Sequence, residues 1–164
     1  MYKRQGTHGD VAVVGGEALL HRGMGMTGAA LLAAQAALHA GAGRVMLSLL
    51  GKSGISHLPE DLMQRDWARL DLEKLHVVAG CGGGQAIETV MPELLLRSAH
   101  LVLDADGLNA VSANHTLKEQ LQQRTSRNQT TVMTPHPLEA ARLLQSTSLP
   151  VSYTHLTLPT NREV

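Results

Sequence analysis

The 164-residue sequence predicts an α/β domain in which a mostly parallel sheet lies between layers of flanking helices. Short apolar runs rich in valine and leucine recur along the chain, and segments of helical composition bounded by glycine separate them. Strands that are buried on both faces of a parallel sheet have this continuous apolar composition, and right-handed crossover helices connect them. The length suffices for one domain with its own core and is short for two.

Five strands and four helices are predicted in order. The strands are the apolar runs at 11–14, 45–50, 76–79, 101–104 and 130–133. The helices are predicted at 28–40, at about 85–97, at 115–123 and at 137–145. Pro92 is expected to bend or break the second helix, and Gly41 and Gly43 are expected to end the first. Residues 51–70 show little periodicity and are predicted to form a loop with a short helix.

The composition favours a small-molecule ligand. Fourteen basic residues balance fourteen acidic ones, so no net charge attracts nucleic acid or an anionic membrane. The single cysteine, Cys81, excludes an internal disulfide framework, and we expect it to be a buried, unreactive thiol. The sequence contains no signal-peptide pattern and no apolar stretch of spanning length. These features predict a cytoplasmic protein that binds neither nucleic acid nor membrane.

The stretch GMGMTG at 23–28 fits the dinucleotide-binding pattern G-x-G-x-x-G, but its context does not. That pattern needs its first glycine directly after the first strand, whereas Gly23 follows Val14 by nine positions. The acidic residue expected about 20 positions further on is also missing. Two interpretations remain: the helix start favours an anion or polar ligand group, or the glycines only allow close packing between helix and strand.

Three clusters of glycine or polar residues directly follow three of the predicted strands. They are GCGGG at 80–84, the group Asp104, Asp106 and Asn109, and TPHP with His136. Because ligands bind at the carboxyl edge of open α/β sheets, we expect one crevice to hold all three clusters. Taken singly, each has a structural explanation: the glycine run as a tight turn, Asp104 as a helix cap, and His136 as a residue held rigid by two prolines.

Four segments carry a resemblance to a known family; in order they are RGMGMTGAALLAAQAALHAGAGRV, GCGGG, LVLDADGLNA and VMTPHPLEAARLL. Together they resemble the ATP/ADP-dependent NAD(P)H-hydrate dehydratases, and the resemblance covers about residues 3–145. The resemblance implies a three-layer, ribokinase-like fold. It also implies that hydrated NADH or NADPH is phosphorylated from ADP or ATP with Mg²⁺, and that loss of phosphate restores the cofactor. The small-molecule hydrate is then the substrate, and a homo-oligomer is left open for the intact enzyme.

The same resemblance implies the site residues. The hydrate-binding positions correspond to Ala29, Gly82 and His136. A family segment DADALN, which would contact substrate, nucleotide or metal, corresponds to Asp104, Asp106 and Asn109. Gly107 stands where that segment has alanine, and Cys81 stands where a GPG motif has proline. Neither change removes a side-chain donor or acceptor.

Two further family motifs, KG-x-GT and G-T-G-D, do not occur in this sequence. The resemblance assigns nucleotide binding to the first motif, and phosphoryl transfer with the catalytic aspartate to the second. No lysine follows Lys118 and no aspartate follows Asp106, so no catalytic residue is predicted and the isolated chain is expected to be inactive. We expect residues 1–150 to be a partial dehydratase domain and 151–164 to be a non-native tail. Fragments of another ribokinase-like small-molecule kinase, or of a non-catalytic nucleotide-binding protein, are the alternatives.

Overall fold

The computed structural model describes residues 9–18, 23, 25–51 and 58–144. Its strands are β1 (Asp10–Glu17), β2 (Arg44–Leu50), β3 (Met63–Gln64), β4 (His76–Ala79), β5 (His100–Leu103) and β6 (Thr130–Met133). Its helices are α1 (Thr27–His39), α2 (Ile87–Arg97), α3 (Ala105–Ala113), α4 (His115–Ser126) and α5 (Pro137–Leu143), with a 3₁₀ turn at Trp67–Arg69. All strand pairs are parallel, in the order β3-β2-β1-β4-β5-β6.

The predicted α/β fold class and all the predicted strands and helices are confirmed, with small shifts at their ends. In β1 the predicted end is Val14, whereas the strand continues to Glu17. Pro92 lies within α2 and does not break it. The predicted tail at 151–164 lies outside the described residues.

Helix α3 and strand β3 are not predicted from the sequence. Gly107 and Asn109 lower the helix propensity of the α3 segment. Leu108 and Val111 nevertheless face the core and are fully buried. Burial of these apolar side chains outweighs the weak local preference, whereas β3 contains only two residues and is too short to show a pattern.

Helices cover both faces of the sheet. On one face, α1 packs Ala30 and Ala34 against Val13 and its neighbours in β2. On the other, α2 buries Met91 and Leu94 in a larger core that also includes side chains of β4, β5 and α3. The alanines of α1 are small, so the helix lies close to the strands. No helix in the described ranges is both long enough and apolar enough to cross a membrane.

Gly16 allows close packing of helix on strand, whereas Gly23 and Gly28 of GMGMTG do not serve this purpose. A Cβ atom on Gly16 would lie 2.7 Å from the Leu49 side chain and 3.1 Å from the Cβ of Ala30. At Gly23 and Gly28, in contrast, no described atom lies within 4 Å of an added Cβ. The packing interpretation is therefore wrong for these two glycines. The predicted end of α1 is confirmed, because Gly41 follows the helix with a φ of 98°.

The strand order reverses between β1 and β4. The chain leaves β1 towards β2 on one side of the sheet and later returns to β4 on the other side. Connections leaving neighbouring strands in opposite directions open a crevice at the carboxyl edge, where α/β proteins bind ligands. The topology therefore directs attention to the residues that follow β1, β4, β5 and β6.

Candidate functional site

The three clusters that follow β4, β5 and β6 lie together at this edge, as the parallel topology predicts. The amide of Gly84 donates to Asp106 Oδ2 at 2.9 Å, which joins the glycine run to the start of α3. The Thr134 hydroxyl donates to Asp104 Oδ1 at 2.7 Å, which joins the segment after β6 to the end of β5. These bonds make one connected polar surface.

Ala29 and Gly82, two predicted hydrate-binding positions, lie against each other. Ala29 is in the first turn of α1, and Gly82 follows β4 with a φ of 61°. A Cβ atom on Gly82 would lie 2.5 Å from the Met26 carbonyl oxygen and 2.9 Å from the Ala29 Cβ. Only glycine fits there, and the backbone of the glycine run approaches the helix start closely.

His136, the third such position, caps α5 with its own side chain. Its Nδ1 accepts hydrogen bonds from the amides of Leu138 at 3.2 Å and Glu139 at 3.5 Å. Glu139 is buried and accepts the His136 amide at 2.9 Å, which completes a capping box. Because Nδ1 is an acceptor, the neutral imidazole carries its hydrogen on Nε2, which lies 3.3 Å from Glu139 Oε1. The ring is exposed and is held in this orientation against the start of α5, with Nε2 as its donor.

The side chain of Asp104 does not cap a helix, so that alternative explanation is wrong. Asp104 occupies the residue before α3 but makes no side-chain capping bond, because Thr134 holds its carboxylate instead. Ala105, between the two aspartates, has a φ of 44°, a left-handed conformation that costs a non-glycine residue free energy. Asn109 points towards α5, where its Oδ1 accepts from Arg142 Nη1 at 2.9 Å.

These aspartates do not form a metal site by themselves. Across the ranges that the structure describes, no three side chains of His, Cys, Asp or Glu lie close enough together to hold a metal ion. Asp104 and Asp106 each use an oxygen to hold a neighbouring loop. Mg²⁺ takes octahedral geometry and is usually held by one or two carboxylates together with waters and substrate phosphates, so a site at these aspartates would need ligands beyond the two side chains.

Cys81 lies within the glycine run beside Asp104, in surroundings that disfavour the thiolate. Its Sγ is 3.5 Å from Asp104 Oδ2, within range of a weak S–H hydrogen bond. Burial, the negative charge of Asp104 and this hydrogen bond raise the pKa of the Cys81 thiol to about 11. This agrees with the prediction of an unreactive thiol, although the side chain is only partly buried.

A cavity of about 580 Å³ opens beside the crevice, between the ends of β2 and β3 and the start of α2. Arg65, Trp67 and Ala86 are among the residues that line it. Its size is within the range of small-molecule sites. Part of its lining comes from residues 51–70, for which the sequence predicts a loop with a short helix and no functional role.

Sequence reasoning missed two polar side chains at this edge, Glu17 and Glu139; Thr134 belongs to the predicted TPHP cluster, but its contact with Asp104 was not predicted. The H-x-x-E spacing of His136 and Glu139 resembles a capping box and is a signal that could have found Glu139. Glu17 had no local signal, because its carboxylate accepts from amides 68 and 69 positions further along the chain.

Comparison with known proteins identifies the family. The sequence pattern of the NAD(P)H-hydrate dehydratase family matches residues 12–158, which extends into the predicted tail. The chain is 36% identical over 152 residues to an ADP-dependent (S)-NAD(P)H-hydrate dehydratase of Neisseria meningitidis serogroup B, covering 87% of this chain and 48% of that protein. It is 41% identical over 86 residues to a bifunctional NAD(P)H-hydrate repair enzyme of Gloeobacter violaceus, covering 51% of this chain and 16% of that protein.

The chain spans about half the length, 48%, of the first of these relatives and less of the second, 16%. The parallel sheet with helices on both faces agrees with the ribokinase-like fold that the resemblance implies. With a family match over residues 12–158, the chain belongs to the NAD(P)H-hydrate dehydratase family.

Proposed function

We propose that this chain is part of an enzyme that restores NADH and NADPH from their hydrates by nucleotide-dependent dehydration. The observation that carries the proposal is the close approach of Ala29 and Gly82 at the carboxyl edge of the sheet in a member of this family. The names of both relatives refer to NAD(P)H hydrate, and one name specifies ADP dependence.

The chemistry requires a leaving group. The hydroxyl of the hydrated nicotinamide ring leaves poorly, so the terminal phosphoryl group of ADP or ATP is first transferred to it. Loss of phosphate together with a ring proton then restores the double bond. We propose that Mg²⁺ enters with the nucleotide and relies on its phosphate oxygens, since the described side chains form no metal site of their own.

In this proposal the chain binds and orients the hydrate. The helix start at Ala29 and the backbone of Gly82 form a wall against the altered ring. The Nε2 hydrogen of His136 supplies a donor for a polar group of the substrate. Asp104 and Asp106 hold the neighbouring loops through their hydrogen bonds, and Asn109 holds helix α5. The neighbouring cavity gives concave space for the rest of a dinucleotide.

Phosphoryl transfer needs residues that this sequence lacks, so the polypeptide of 164 residues is proposed to bind hydrate without turning it over. We propose the cytoplasm as the compartment of the enzyme and a homo-oligomer as its assembly, which analytical ultracentrifugation of an active enzyme would test.

Calorimetric titration of the chain with NADH hydrate, NADH and ADP tests the proposal. Binding of hydrate in preference to NADH, with no saturable ADP binding, is expected. His136→Ala should weaken hydrate binding, whereas the control His115→Ala, an exposed histidine at the start of α4, should not. Equal affinity for NADH and its hydrate would refute the substrate assignment. ADP-dependent formation of NADH by this chain would refute its inactivity.

A further inference from the structure

Glu17 is a buried carboxylate at the end of β1 that no role described so far uses. Only 4% of its surface is exposed. Its Oε1 accepts hydrogen bonds from the amides of Gln85 and Ala86, each at 3.1 Å. A buried carboxylate that had no such donors would be costly, so these contacts are the reason that the charge can lie there.

A β-bulge in β1 directs the Glu17 side chain to the face of the sheet that α2 covers. Side chains of β1 alternate, with Val13 on the face of α1 and Val14 on the face of α2. Regular alternation would put Glu17 on the α1 face. The register with β2 shifts between Gly15 and Glu17, so one extra residue reverses the alternation and Glu17 faces the start of α2.

Glu17 supplies the cap that α2 lacks locally. The residue before α2 is Ala86, which has no side-chain oxygen and makes no side-chain cap. The first amides of a helix have no partner within the helix, and a negative charge near them is favourable. Gly84 leaves the necessary space, because a Cβ atom at that position would overlap the Glu17 carboxylate.

The backbone of Glu17 joins both halves of the proposed hydrate site. Its amide donates to the Gly82 carbonyl at 2.7 Å, and its carbonyl accepts from the Met26 amide at 3.0 Å. Met26 directly precedes α1, which carries Ala29. Glu17 therefore contacts both the glycine run and the residue before α1. The distance between these two segments sets the width of the proposed site.

We propose that Glu17 is the positioning residue of the hydrate site, and that its carboxylate sets the gap between Ala29 and Gly82 by fixing the start of α2. The proposal rests on the proposed function, since it names the residue that shapes the same site. In this proposal the Glu17 carboxylate acts on the site through the amides at the start of α2 and does not touch the substrate.

The test compares Glu17→Gln with Glu88→Gln in the full chain of 164 residues. Glu88 is an exposed glutamate in the first turn of the same helix, so the control removes an equal charge near the same amides. We expect the Kd for NADH hydrate to rise about tenfold in Glu17→Gln, a change of about 1.4 kcal/mol, and to stay unchanged in Glu88→Gln. Unchanged hydrate affinity in a folded Glu17→Gln chain would overturn the proposal.

Amide chemical shifts in ¹H–¹⁵N spectra give a readout that does not depend on the substrate. In Glu17→Gln the signals of Gln85, Ala86 and Gly82 should move, while signals from the centre of α4 should not. If the wild-type chain binds no hydrate, the proposed function fails. The chemical shifts then decide by themselves whether Glu17 positions the glycine run, and an unmoved Gly82 signal overturns that role. If Glu17→Gln does not fold, Glu17→Asp keeps the charge on a shorter side chain, and an unchanged Gly82 signal there contradicts the proposal.

Discussion

The hydroxyl of Thr134 donates to Asp104 Oδ1 across 2.7 Å and lies 3.2 Å from the Leu103 carbonyl oxygen. Its amide also donates to that carbonyl at 3.1 Å. The backbone pairing of β5 with β6 therefore continues past the end of β6, and the hydroxyl contact with Asp104 extends the connection past the end of β5. This contact fixes the segment that carries His136 relative to the aspartates that follow β5.

Thr134→Val should lower the free energy of unfolding by about 1 kcal/mol, because it leaves a carboxylate oxygen of Asp104 without its donor. Thr130→Val is the matched control, since Thr130 is exposed at the start of β6, the strand that Thr134 follows, and contributes only backbone groups to the described hydrogen bonds. Urea unfolding followed by circular dichroism measures both. Equal stability of the two variants would show that the side-chain contact contributes nothing.

Alkylation of Cys81 should be slow in the folded chain and should accelerate as the pH approaches 11. A rise in the pKa of the thiol from 9.0 to about 11 lowers the thiolate population at pH 8 about a hundredfold. The greater nucleophilicity of a more basic thiolate offsets part of this loss, so we expect a rate about tenfold below that in urea. Mass spectrometry of iodoacetamide labelling measures both rates. Asp104→Asn should raise the folded-state rate, because it removes a negative charge that disfavours the thiolate; a slower rate would contradict the assigned cause.

The same pKa shift makes stability depend on pH in the alkaline range. The folded chain holds the thiol proton more tightly than the unfolded chain, so this contribution is complete below about pH 9 and is lost as the pH rises through 11. The wild-type chain should therefore lose stability relative to Cys81→Ser between these values. Thermal unfolding of both chains at pH 8 and pH 10.5 tests the sign, and a constant difference would refute it.

Gly80→Ala should destabilise the chain by about 3 kcal/mol. Gly80 has a φ of 108°, and an added Cβ would overlap the Asp104 carbonyl oxygen and lie 2.5 Å from the Gly107 amide nitrogen. Gly28→Ala is the control, because no described atom lies within 4 Å of its added Cβ and alanine favours the helix. It should stabilise the chain by about 0.5 kcal/mol. Similar melting temperatures for the two variants would contradict the close approach at Gly80.

Arg124→Lys should lower the free energy of unfolding by about 2 to 4 kcal/mol. Arg124 is 1% exposed and donates to the carbonyls of Leu95 and Thr130 at 2.7 and 2.9 Å. Burial, together with the charge of Arg127, lowers the pKa of this guanidinium to about 10. A lysine has one ammonium group and cannot reach both carbonyls. Arg127 is exposed and provides the control Arg127→Lys, which should change the free energy of unfolding by less than about 0.5 kcal/mol. Equal effects of the two substitutions in urea unfolding would show that the two hydrogen bonds of the Arg124 guanidinium to backbone carbonyls are not needed for stability.

Local sequence signals predicted most of the elements but not the first strand's end. Val11 to Val14 are apolar and predict a strand. Gly15, Gly16 and Glu17 lack this composition and continue the strand through pairing with β2 and backbone hydrogen bonds to the glycine run. In the candidate site, too, some features follow from the sequence and others only from contacts between distant segments. The glycine run and the aspartates were predicted at one edge, because parallel topology alone brings strand ends together.

The sequence by itself determined the fold class, the order of the main elements, the family and the edge of the sheet where polar residues gather. These depend on periodicity, on motifs and on the rule that parallel strands end at one edge. Only the tertiary structure decided that Glu17 caps α2, that His136 is oriented by Glu139 and that Thr134 holds Asp104. The contacts of Glu17 and Thr134 join residues far apart in sequence, and the direction of the Glu17 side chain depends on a bulge that reverses the alternation of the strand.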